Sequence, residues 1–167
     1  MKSKAQNLSE RLRNAIDTEG PRLASLSEAE AAVRGANNEG WSPKQELGHL
    51  IGSATNNRVR FVVAALERAY TGPTYDGPGW VKIGGYADSS WVDLVDLWMR
   101  SNQALARAIE HIPEERFSAP CKIGGGDEVT LDFLIEDYVL HMQHHLDHIL
   151  SRDQLTTYPG AFREPPL

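Results

Sequence analysis

Apolar residues recur at helical spacing in four long stretches of this chain, separated by segments rich in Gly, Pro and polar residues. The first stretch, residues 5–26, carries Leu8, Leu12, Ala15, Ile16, Leu23 and Leu26 on one face. Gly20-Pro21 interrupts it. Proline removes a helix hydrogen bond and clashes with the preceding turn, so a kink or break is expected there. Ser27-Glu28-Ala29-Glu30 has the form of a capping box and predicts a short helical turn. Arg34 to Gly40 reads as a polar loop. The second stretch has the sharpest start in the chain. Ser42 stands as N-cap, Pro43 suits the first helical position, and Gln45 completes a capping box. Leu47, Leu50, Ile51, Ala54, Phe61, Val62 and Ala65 then hold one apolar face to about Tyr70, before Thr71-Gly72-Pro73 stops the helix.

The third stretch is capped by Ser90, with Asp93 three residues on. Trp91, Leu94, Val95, Trp98, Leu105 and Ile109 form its core face, and Pro113 follows its end. His111 falls in its last turn, where an imidazole suits the negative end of the helix dipole. The fourth, residues 130–151, contains no Gly or Pro. Thr130 is its expected N-cap, accepting from a free backbone N–H. Leu131, Leu134, Ile135, Tyr138, Val139, Met142, Leu146 and Ile149 mark its buried stripe. Strand signals are weak, apart from a short extended piece in 113–129. The expectation is an all-α four-helix bundle over residues 1–151, with a tail at 152–167. Order is expected in the helices, and mobility in 71–89, 113–129 and the tail. Residues 71–89 are long for a connection in a compact domain. They read as a surface excursion held by Tyr75, Trp80 and Tyr86, or as a cover over a site.

Composition narrows the class. The 167 residues suffice for one sizeable core, and 41% hydrophobic with 24% charged residues is ordinary for a globular protein. A net charge of −6 and the lack of a basic stripe argue against nucleic acid as a partner. No apolar run approaches the roughly 20 residues needed to span a bilayer. The N-terminus has no apolar segment after its basic start, so it is not a secretory signal. The single cysteine, Cys121, cannot form an internal disulfide, which suggests a reducing cytoplasm. No histidine flanks it, and a catalytic role is not expected. Gly124-Gly125-Gly126 lacks the Lys-Ser/Thr of a phosphate-binding loop and reads as a turn.

The chemistry concentrates in the fourth stretch, where four of six histidines lie at 141, 144, 145 and 148. At about 100° per residue, His145 stands about 60° from the centre of the apolar stripe and His141 about 100°. They are an i, i+4 pair about 6 Å apart along the axis, so two imidazoles can converge on one metal ion. The same spacing also arises in a polar shoulder beside the core. His144 and His148 face away and read as solvated. Met142 stands where a zinc protease HExxH would carry its glutamate, so that general base is missing. In the second stretch Glu46, His49, Ser53, Asn56, Asn57 and Arg60 form a polar stripe, which is either a wet face or the lining of a pocket.

WSPKQELGHL at 41–50, followed by a Thr-Leu-capped helix ending in HMQHHLDHI at 141–149, resembles the DinB-like superfamily of four-helix metal-binding proteins. The resemblance covers nearly the whole chain, to about Leu150. It implies an up-down-down-up bundle with a divalent ion held by His49, His141 and His145. It further implies either metal-dependent hydrolysis or S-transfer using a low-molecular-weight thiol. His148, and Leu146-Asp147 before it, depart from the commonest last-helix pattern, which leaves subfamily and substrate open.

Three neutral imidazoles leave an ion with open positions, and zinc and nickel both suit them. Asp137 and Glu46, each one turn before a histidine, are candidates to orient His141 and His49. With His144 and His148 they are also the candidates for acid–base work. Arg60 is a candidate for a thiol cofactor's carboxylate. A small-molecule substrate follows from either activity. The alternative is a non-catalytic metal- or ligand-binding bundle. Phe133 and Leu140, on the far side of the last helix, either meet a neighbouring loop or helix or sit in a subunit contact, and a homodimer is expected.

Overall fold

The computed structural model describes residues 2–35 and 40–158. The expected polar loop at 34–40 and the tail beyond residue 158 fall partly or wholly outside these. Among the described residues six α-helices follow one another: α1 (Lys4–Ala24), α2 (Glu28–Ala32), α3 (Pro43–Glu67), α4 (Gly77–Gly84), α5 (Trp91–Glu110) and α6 (Leu131–Ile149). Strands β1 (Tyr70–Gly72), β2 (Pro120–Ile123) and β3 (Val129–Thr130) form one small sheet. β1 pairs parallel with β2, and β2 antiparallel with β3.

The long helices α1, α3, α5 and α6 make the bundle, and side-chain pairs give their directions. Arg13 meets Glu110, and Gly20 lies against Met99, so α1 and α5 run antiparallel. Arg11 pairs with Glu136 at 3.7 Å and Glu19 with Gln143 at 3.4 Å, so α1 and α6 run parallel. Glu46 meets His148 while Phe61 meets Tyr138, so α3 opposes α6. The order is therefore up, down, down, up. α1 packs mainly on α5, and α3 lies between α5 and α6. Each crossover, α1 to α3 and α5 to α6, joins helices that are diagonal in the bundle. That accounts for the length of these two connections, which must cross an end of the bundle.

The caps behave largely as the sequence requires. Ser27 and Ser42 both close complete capping boxes, with Glu30 and Gln45. Leu12, Ile16, Leu47, Leu50, Phe61, Trp98, Leu105, Ile135, Met142 and Leu146 are essentially fully buried, as the apolar stripes predict. Trp91 donates its indole N–H to the Leu23 carbonyl at 2.9 Å, tying α5 to the end of α1.

Four local expectations change. Gly20-Pro21 does not break the first helix, because Pro21 falls in its last turn, where few downstream hydrogen bonds remain to lose. Gly20 serves contact instead, since a Cβ there would come 3.1 Å from Met99. Thr130 occupies the N-cap, but its hydroxyl donates to the Asp132 carboxylate, a stronger partner than a backbone N–H. Residues 71–89 are not an unstructured excursion. They hold part of β1, α4 capped by Asp76, and a short 3₁₀ turn at Tyr86–Asp88. Tyr86 and Trp80 lie on α3 over Gly48 and Gly52, where a Cβ would come 2.2 Å and 3.3 Å from their side chains. Finally, residues 152–158 fold back on α6.

Candidate metal centre

The site forms where α3 opposes α6. His49, on the second turn of α3, faces His141 and His145, one turn apart on α6. One ring nitrogen from each lies within 4.8 Å of the other two. Nε2 of His49 and Nε2 of His141 stand 3.1 Å apart. Ring centroids are 4.7 Å apart for His49 and His145, and 4.6 Å for His141 and His145. The α3 stripe that pointed away from its own apolar face is thus turned inward, because Trp41 and the start of α4 at Gly77 cover it. Trp41 packs 5.2 Å from the His49 ring, and a Cβ on Gly77 would touch that ring at 3.4 Å.

Burial dominates the electrostatics. It pushes His49 down to about 3, with His145 adding repulsion. It also holds His141 well below the ordinary histidine value, helped by His145, His49 and His144. Both rings are therefore neutral at pH 7 and offer lone pairs. His49 Nδ1 is buried with no hydrogen-bond partner among the described residues. The donor set fits a metal ion. Metal–nitrogen bonds of about 2.0–2.1 Å in a tetrahedral arrangement separate donor nitrogens by about 3.3 Å. The 3.1 Å gap between His49 and His141 is close to that.

Glu46 does not orient His49, as its place one turn earlier suggested. Its carboxylate, only 2% exposed, reaches across to α6. One oxygen accepts from His145 Nδ1 at 2.9 Å and from His148 Nδ1 at 3.1 Å. These bonds make Nδ1 the protonated nitrogen of His145 and leave Nε2 as its lone-pair donor. His148 is accordingly not a solvated ring. Neither is His144, whose Nδ1 donates to the Thr156 carbonyl at 2.8 Å and whose ring meets that of His148 edge-on, with centroids 4.5 Å apart. The face expected to be wet is covered by Glu46 and by the returning C-terminal segment.

Asp137 also finds another partner. It accepts from the Tyr158 hydroxyl at 3.2 Å, and burial lifts its carboxyl to about 6 despite that bond. Arg60 is 7% exposed, donates to the Pro73 carbonyl at 3.2 Å, and lies 5.6 Å from the Tyr75 ring. His111 stays remote as the C-cap of α5, its Nδ1 bonded to Arg107 O at 2.7 Å. Cys121 is buried in β2.

The antiparallel pair α3 and α6 thus brings together, within a four-helix bundle, three histidines that could hold a metal ion. Residues 11–149 match the family model described as the DinB superfamily, and the chain belongs to that family. A Bacillus licheniformis protein named as a candidate metal-dependent hydrolase is 31% identical over 115 residues. That match spans 66% of this chain and 63% of the relative. YfiT from Bacillus subtilis, described as a candidate metal-dependent hydrolase with an unusual four-helix bundle topology, superposes with a TM-score of 0.77. It is 18% identical, with 89% of this chain and 86% of that one covered. A mycothiol-dependent maleylpyruvate isomerase superposes at 0.72 with 14% identity, covering 89% of this chain and 63% of its own. At these identities the two solved structures speak for the fold. Among the described residues, no helix is long and apolar enough to cross a membrane.

Proposed function

We propose that the chain binds one divalent ion, zinc or nickel, through His49, His141 and His145, and acts as a metal-dependent hydrolase on a small-molecule substrate. The observation that carries this reading is the convergence of three imidazoles with two Nε2 atoms 3.1 Å apart. When bound, such an ion keeps an open coordination position and lowers the pKa of a water or thiol it coordinates toward neutrality. Glu46 holds His145 in the tautomer that points Nε2 inward. Asp137, with a carboxyl lifted to about 6 one turn before His141, can exchange a proton near neutral pH. The hydrolase reading follows the 31% identical relative, whose length this chain matches over 63%.

A second reading, S-transfer with a low-molecular-weight thiol, is supported by Arg60. This buried guanidinium forms no ion pair among the described residues. A buried cation is best compensated by an anion, and a thiol cofactor's carboxylate would supply one. We also read the chain as cytoplasmic, from its one free cysteine, and as a homodimer. Phe133, 44% exposed on the outer side of α6, supports the dimer contact.

Metal content after remetallation tests the centre. The wild-type protein should take up one ion, and His49→Ala, His141→Ala and His145→Ala should each lose it. His111→Ala should retain it. Metal retained by all three ligand variants would sink the assignment. Turnover of esters or amides would favour the hydrolase. Turnover of electrophiles only with an added thiol would favour the transferase, with Arg60→Gln raising KM for the thiol. Stoichiometric metal without turnover in either panel would favour a non-catalytic binding bundle.

A further inference from the structure

The C-terminal segment is bolted to the bundle beside the histidines. α6 ends in a left-handed residue, Ser151, with φ of 51°. Ser151 N donates to His148 O at 3.0 Å and Arg152 N to Asp147 O at 2.9 Å, which reverses the chain in a Schellman-type turn. Residues 152–158 then run back along α6 toward the metal centre.

Two buried carboxylates hold this strap. Arg152 spans them, donating Nη1 to Asp147 Oδ1 and Nη2 to Glu19 Oε2, each at 2.5 Å. Asp147 is 3% exposed and Glu19 is 4% exposed. Thr156 adds its backbone N–H at 2.7 Å and its hydroxyl at 2.6 Å to Asp147 Oδ2. Lifting the strap would leave both carboxylates short of the donors that make their burial tolerable. It is therefore a docked element of the fold and not a frayed end.

Its far end meets the site. His144 donates to the Thr156 carbonyl. Tyr158 lays its ring edge-on to His141, with centroids 5.2 Å apart, and gives its hydroxyl to Asp137 at 3.2 Å. We propose that Tyr158 is a positioning residue of the metal centre: clamped by Arg152 and Thr156, it holds the His141 ring where Nε2 faces His49, and it sets the Asp137 carboxyl beside it. The proposal rests on the three-histidine reading for its metal, but the orientation of the His141 ring is a property of the chain itself. His141 is fixed at Cα by α6, yet its side-chain torsions leave the ring other staggered positions. The Tyr158 ring is in edge contact with it, and on this proposal that contact selects the position seen.

The test uses zinc alone as probe, in competition with a chelator, on the full chain. Tyr158→Ala should weaken zinc binding about tenfold, in the range seen when partners of metal-bound histidines are removed. Tyr158→Phe keeps the ring, and should restore affinity to near wild type while Asp137 loses its donor. Arg152→Gln, which releases the strap from a distance, should follow Tyr158→Ala with unchanged helical circular dichroism. In the zinc-free protein, the His141 imidazole resonances should shift and broaden in Tyr158→Ala and stay put in Tyr158→Phe. Wild-type affinity in Tyr158→Ala together with unmoved His141 resonances overturns the proposal. If the wild-type protein takes up no zinc, the metal reading fails, and the His141 resonances still decide whether Tyr158 holds that ring. Should Arg152→Gln fail to fold, the Tyr158 pair decides alone.

Discussion

The Nε2 atoms of His49 and His141 face each other at 3.1 Å although the two residues are 92 positions apart in the chain. Both rings are held neutral by burial, His49 at about 3 and His141 well below the ordinary value near 6.5. Two neutral nitrogens at this distance share one proton or donate both lone pairs to one cation. Either arrangement is lost if the rings become charged.

The first prediction is a stability that falls with acid. The folded-state value of His49 lies below its unfolded value, so the unfolded chain binds more protons between about pH 6.5 and 3. The stability is fully present above pH 6.5 and is lost as pH drops through that window. At pH 5 the cost is about 2 kcal/mol for His49, and His141 adds to it in the same direction. The metal-free protein should therefore melt several degrees lower at pH 5 than at pH 7.5, and His49→Gln should flatten that slope. At pH 7.5, added zinc should raise the wild-type Tm in a concentration-dependent way, and chelator should reverse the gain. A Tm that neither acid nor zinc moves would break the link between burial of these rings and metal capture.

Glu46 carries the second prediction. Its one oxygen serves His145 and His148 from a position 2% exposed. In Glu46→Gln the amide oxygen can still accept, but the carboxylate that orients His145 is gone. Zinc affinity should fall about 10- to 100-fold. Glu46→Ala should fall further and lose stability, since two imidazole N–H groups are left without their acceptor. Competition titration with a chelator measures both, and equal affinity in wild type and Glu46→Gln would remove Glu46 from the metal's support.

The four helices were legible because each has an apolar stripe, and Ser42-Pro43-Gln45 is the sharpest of the start signals. The pair on α6 was legible because i, i+4 spacing is a local property of a helix. His49 was not legible from its own helix, since its stripe faces away from the apolar centre. Only the packing of α3 on α6, under Trp41 and Gly77, turns that stripe inward, and the family resemblance stood in for that information. The partners of Glu46 were misread for the same reason. One turn of separation predicts neighbours along a helix, whereas a glutamate side chain reaches the opposite helix as readily. The strap was missed because prolines later in the chain end any helical reading at Arg152. A docked segment with no periodicity announces itself only through its partners, and Asp147 and Glu19 lie on other elements.

Cys121 supplies the last prediction, away from the histidines. It sits on β2 with 0% exposure, and its Sγ is 3.6 Å from the Ala119 carbonyl. Burial lifts the thiol to about 11 from an ordinary value near 9, with Glu128 adding repulsion. The thiolate is the reactive form, so the folded protein should resist thiol reagents at pH 8 and react only as fast as it opens. Full reactivity should appear in denaturant. Because the folded-state value is raised, the stability it reflects is complete below about pH 9 and is lost as pH rises toward 11. Cys121→Ala should therefore lose less stability than wild type between pH 9 and 11, measured by denaturant midpoints on each side of that window. Rapid modification of the native protein at pH 8 would contradict the burial, and would place a reactive thiol where the structure has a closed strand.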